Sequence, residues 1–95
     1  MVWILTSAAL VDLDRMAAEG AARFGMVQSE VYEQQMVATL DSLAGMPYLA
    51  AERVAANSVV RLMPCGSHNI LYIVENEDVV VLRVLHGLQD WFDLL

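Results

Sequence analysis

Two arginines and two histidines in the second half of the chain carry the residue types that do chemistry. Arg61 and Arg83 sit in apolar, strand-like runs, where two guanidinium groups are suited to clamp a phosphate or a carboxylate. The plainer reading is that each forms a structural ion pair, with Asp90, Glu75 or Glu77 in reach by sequence. His68 and His86 titrate near neutrality and are candidates for proton transfer, set against an ordinary hydrogen-bonded histidine at a strand end. Arg61, Arg83 and His86 are therefore the catalytic candidates, and phosphodiester cleavage is the chemistry they would serve. That reaction builds negative charge at phosphorus and needs a positive cluster around it. This chain has five arginines, no lysine and twelve acidic residues, for a net charge of −7. Such a balance opposes the phosphate neutralisation that dominates nucleic-acid affinity, so the chain alone is not expected to bind DNA or RNA.

Cys65 is the single cysteine and has no cationic neighbour in sequence to activate it, so a small buried filler is expected. With no second cysteine there is no internal disulfide, which fits a cytoplasmic location. One cysteine and two distant histidines do not make a structural zinc site, and neither metal nor cofactor is expected. The hydrophobic fraction is 58% and the mean hydropathy +0.49. A core of this size cannot hide that much apolar side chain, so an exposed patch and a protein partner are expected. No stretch reaches the ~18 apolar residues of a membrane span. The apolar start, Met1 to Thr6, is short, lacks a basic flank and reads as a strand rather than a signal peptide.

These residues must be positioned by one domain spanning 1–95. Val2–Thr6 reads as a first strand, and Ser7 as the N-cap of a helix from Ala8 to Phe24. Leu10, Leu13, Ala17, Ala21 and Phe24 step by three and four and define its inner face, with Asp12, Asp14, Arg15, Glu19 and Arg23 mostly on the other. Gly25 ends it. A second helix over Val27–Ala44 carries Tyr32, Met36, Thr39, Leu40 and Leu43 inward, and Gly45-Met46-Pro47 closes it. Tyr48–Ser58 has no clean period and reads as a loop with at most one helical turn. Val59–Cys65, His68–Glu75 and Asp78–Leu85 are three strands separated by Gly66-Ser67 and Asn76-Glu77, both at hairpin spacing. The remaining residues, Leu88–Leu95, form an amphipathic tail anchored by Trp91 and Phe92. The order β-α-α-β-β-β specifies an α+β fold, a helical hairpin packed on a twisted antiparallel sheet.

Five stretches then match a known pattern. Arg61 to Tyr72 (RLMPCGSHNILY) and Leu82 to Trp91 (LRVLHGLQDW) resemble the C-terminal half of ParE-type toxins of the RelE/ParE superfamily. Ala9 to Asp14, Ala22 to Gly25 and Leu40 to Pro47 match that family's first helix, inter-helix turn and end of the second helix. The chain departs from the pattern at Leu88, where the family has arginine, and at Ala50-Ala51, where it has Gly-Arg. Val2, Ile4, Phe92 and Asp93 stand at family positions that are usually basic.

The resemblance implies the toxin of a type II toxin–antitoxin pair, inactive in a hetero-oligomer with a ParD-like antitoxin. It implies target contacts through Arg83, His86, Gln89, Asp90 and Trp91, and antitoxin contacts through Leu13, Met16, Tyr32, Met36 and Leu40. Members of the ParE type poison DNA gyrase and serve plasmid stabilisation; members of the RelE type cut mRNA on the ribosome and use a histidine where His86 stands. The residue after His68 is Asn69, not the arginine of those nucleases. Three functions follow in order of expectation: a gyrase poison without chemistry of its own, a non-toxic relative that only binds antitoxin, and a ribosome-dependent nuclease.

Overall fold

The computed structural model describes residues 2–55 and 58–87. β1 (Trp3–Leu5) leads into α1 (Ser7–Phe24) and α2 (Met26–Gly45), followed by β2 (Glu52–Ala55), β3 (Ser58–Cys65), β4 (His68–Glu75) and β5 (Asp78–His86). The sheet order is β1-β5-β4-β3-β2. β2 to β5 form an antiparallel meander, and β1 joins β5 in parallel.

The helical hairpin lies on one face of this sheet, as expected of the α+β class. Met36, Leu40 and Leu43 of α2 and Ala9 and Met16 of α1 pack on Ile70, Tyr72, Val79, Val81 and Val84. Gly20 lets the helices approach closely, because a Cβ there would meet the Ser29 hydroxyl at 3.0 Å. The opposite sheet face holds a smaller cluster, Val60 and Leu71 with Leu62, Ile73 and Leu82. Among the described residues, no helix is long and apolar enough to cross a membrane.

Three expectations need correction. Thr6, not Ser7, caps α1: its hydroxyl accepts the Ala9 N–H at 3.2 Å. The buried face of α1 is Ala9, Asp12 and Met16, whereas Leu10 and Phe24 are 52% and 69% exposed. The segment read as a loop contains β2, which pairs Glu52 with Arg61 and Val54 with Val59. It is a short edge strand with Val54 facing solvent, so no apolar alternation marks it in sequence.

Asp12 is buried because β1 is too short to cover the β5 edge. β1 pairing ends at Leu5–Val81, and the Thr6 N–H donates to the Val81 carbonyl. Beyond that point the partners are side chains: the Thr6 hydroxyl donates to the Leu82 carbonyl at 2.9 Å, and the Val84 N–H donates to Asp12 at 3.0 Å. A register shift at Leu71/Tyr72 leaves Leu82 without a β4 partner, and Arg83 turns its guanidinium onto the same carboxylate. The helix thus completes a strand edge that the backbone leaves open.

Candidate functional site

Tyr32 gathers the histidines. The β3–β4 turn needs Gly66, whose φ is +59° and whose missing Cβ leaves room for the Tyr32 ring; a methyl there would sit 2.6 Å from the phenolic oxygen. The Tyr32 hydroxyl accepts the Ser67 N–H at 3.0 Å and lies 2.7 Å from Nδ1 of His68 and 3.1 Å from the Cys65 carbonyl. One phenolic proton cannot serve both acceptors. If the carbonyl takes it, Nδ1 of His68 must donate, so the His68 tautomer is tied to Tyr32.

His68 pairs directly with His86 across β4 and β5, and their rings meet edge-to-face at 4.9 Å between centroids. Asn69 fixes this end of the sheet by donating to the Gly87 carbonyl at 2.7 Å, while the Gly87 N–H donates to Ser67. Burial, then the nearby His86, holds the His68 pKa below 6.5, with Glu19 opposing in part. Both rings open on a cavity of about 340 Å³ between the turn of the hairpin and the β3–β4 turn. Glu19, Arg23 and Phe24 of α1 and Tyr32 and Glu33 of α2 also line it. Two carboxylates against one guanidinium make its fixed charge negative, which repels a phosphodiester.

The two strand arginines do not join this cluster. Arg83 donates from Nε and Nη2 to the Asp12 carboxylate at 2.7 and 3.0 Å. Burial pushes that carboxyl up, but the Arg83 bonds, the Val84 N–H and the charges of Arg83 and Arg15 outweigh it, so its pKa lies below 3.8. Arg61 donates to the Ala50 and Tyr48 carbonyls and to Glu52, and its guanidinium lies 5.0 Å from the centre of the Tyr48 ring. The plainer reading of both as ion pairs holds, with partners different from those expected: Asp12 for Arg83 and Glu52 for Arg61. The two lie on strands separated by β4 and each is held by its own carboxylate, so they do not form a joint clamp in this structure.

The other sequence candidates divide cleanly. Cys65 is a buried filler beside the Thr39 hydroxyl. Met36 and Leu40 are 1% exposed and face the sheet, so they belong to the core and are not available to a partner on the outside of the hairpin, whereas Met16, also buried, lines the cavity beside the histidines. Leu13 and Tyr32 are half-buried against that core. Gln89, Asp90 and Trp91, and the tail read as anchored by Trp91 and Phe92, lie outside the described residues. The expected exposed apolar surface is present, most densely at Phe24, Met26 and Val27 in the hairpin turn. Sequence reading passed over the cavity, because Glu19, Arg23 and Glu33 read as ordinary solvated helix positions.

A helical hairpin lies on a five-stranded sheet, with a histidine pair at one end and Arg61 and Arg83 committed to structure, which defines a small α+β domain. A chromosomal ParDE toxin–antitoxin system from P. aeruginosa has the same fold, with a TM-score of 0.78 at 19% identity over 92% of this chain and 96% of the other. No curated protein matches by sequence. The profile described as "ParE toxin of type II toxin-antitoxin system, parDE" matches residues 3–91, and the chain belongs to this family of toxins.

Proposed function

We propose that this ParE-family toxin acts by binding a protein target, DNA gyrase, without catalysing a reaction, and that a ParD-like antitoxin neutralises it in a cytoplasmic complex. The observation that carries this reading is the commitment of the two strand arginines to structural carboxylates. Arg61 and Arg83 each hold a carboxylate, and the cavity that presents both histidines is lined by Glu19 and Glu33 against Arg23. A phosphate-cleaving centre must supply upwards of ~8 kcal/mol of transition-state stabilisation, and a charge-assisted hydrogen bond contributes about 1.5–3 kcal/mol. One arginine, Arg23, without an ion pair among the described residues and beside two acids, falls short of that.

With Met36 and Leu40 in the core, antitoxin contacts fall to the exposed residues of the hairpin, among them Val27 and Val31 of α2. Target contacts fall to the C-terminal tail. Inducible expression tests the reading: growth should arrest with a DNA-damage response and recover when antitoxin is co-expressed. Deleting Trp91–Leu95 should abolish the arrest while antitoxin still co-purifies. Arrest accompanied by mRNA cleavage that His86→Ala removes would establish the nuclease instead, and normal growth would leave an antitoxin-binding relative.

A further inference from the structure

We propose that the cavity at the hairpin turn is a receptor for one cationic side chain, an arginine or lysine, of the antitoxin, and that the His68–His86 pair makes this anchor sensitive to pH. The proposal rests on the antitoxin reading above and adds the chemistry of the contact.

Shape and charge agree on the occupant. The cavity, about 340 Å³, is large enough for a single long side chain and too small for a folded element. Phe24 and Tyr32 offer ring surface along which an aliphatic stem or a guanidinium plane can lie. Glu19 and Glu33, one from each helix, supply carboxylates, and neither forms an ion pair among the described residues. Arg23 is the opposing charge; with neutral imidazoles the lining keeps one net negative charge. Phe24 lines the cavity and the exposed Met26 and Val27 follow it in the hairpin turn, giving the bound segment an apolar surface next to its charged anchor. A chain with no lysine and a net charge of −7 also draws a basic partner on electrostatic grounds.

The histidines set the pH dependence. His68 is faced by Tyr32 and Glu33 from α2, by Glu19 and Arg23 from α1, by His86 from β5 and by the Cys65 carbonyl from β3. Protonation of His68 on acidification adds a positive charge that offsets the one net negative charge of the lining. A cation that was held then loses its attraction.

The test uses the purified chain and ethylguanidinium as probe, with ethylurea as its neutral isostere, at constant ionic strength. The ring protons of His68 and His86 are followed by NMR. At pH 8 ethylguanidinium should shift both rings saturably and ethylurea should not. Affinity should fall about tenfold or more in the Glu19→Gln, Glu33→Gln double variant, and by a similar factor at pH 5.5. No saturable shift, equal binding of ethylurea, or an unchanged affinity in a double variant that melts like the parent would overturn the proposal. In a second arm the double variant should bind antitoxin about tenfold more weakly than the parent. Unchanged antitoxin affinity would overturn the assignment of the occupant. Failure of the parent to bind antitoxin at all would overturn the proposed function and the occupant together, while the probe titration reports on the cavity by itself.

Discussion

Arg83 and Arg61 stand on the strands either side of β4 and each holds one carboxylate, yet the two sites do different work. At Arg83 the carboxylate is the buried partner: Asp12 is 6% exposed and accepts three hydrogen bonds, one of them from the backbone of β5. At Arg61 the arginine is the buried partner, 14% exposed, and Glu52 is 61% exposed at the sheet edge. Arg61 is held mainly by the carbonyls of the loop that follows α2. Tyr72 binds that loop from below, donating to the Pro47 carbonyl at 2.9 Å and accepting the Ala50 N–H. The first site ties α1 to a sheet edge; the second ties a loop to the sheet. The comparison teaches that both arginines are structural, by different means, and that the cavity depends on neither for its charge.

Asp12→Ala gives the largest expected effect. It strands the Arg83 guanidinium and the Val84 N–H together, and with Arg83 partly exposed the cost should be about 3 kcal/mol in chemical denaturation. If Asp12→Ala costs no more than a surface substitution, the contrast between the two sites fails.

The same group gives the chain an acid limit. The Asp12 pKa is lower folded than unfolded, so its stabilisation is complete above the ordinary value of 3.8 and is lost as pH falls through the folded value. His68 acts in the same direction at higher pH, since below 6.5 the unfolded chain binds its proton more readily. Melting temperature should therefore decline on acidification in two stages, and Asp12→Asn should remove the lower one.

Tyr72→Phe tests the second site. It leaves the Pro47 carbonyl and the Ala50 N–H without their partner, at a cost of about 1–2 kcal/mol. Glu52→Gln should cost less than ~0.5 kcal/mol, because an exposed partner is screened and Arg61 keeps its carbonyl contacts. A larger loss in denaturant melts for Glu52→Gln than for Tyr72→Phe would reverse the assignment of what holds the loop.

The legible part of this fold is the part where hydrophobic period and turn chemistry agree. β3, β4 and β5 lie within a residue of their expected bounds, since β-branched runs separated by two-residue turns admit one register. The α2 stripe of Tyr32, Met36, Thr39, Leu40 and Leu43 is likewise as read. The misreadings share a cause: a polar group whose partner is far away in sequence. Asp12 has the look of a solvated helix residue until β5 is brought beside it, and turning Asp12 inward rotates Leu10 and Phe24 outward. β2 exists through its pairing with β3, not through a pattern of its own. The site was half legible: His68, His86 and Tyr32 were singled out separately. Their meeting depends on the room that Gly66 leaves for Tyr32 and on the cross-strand pairing of the two histidines.

A gyrase supercoiling assay run beside a translation extract tests the central claim most directly. The purified toxin should inhibit supercoiling or trap cleaved DNA at concentrations that leave mRNA intact, and it should lose that effect without Trp91–Leu95. Unimpaired gyrase together with codon-specific mRNA cleavage that His86→Ala abolishes would contradict the account.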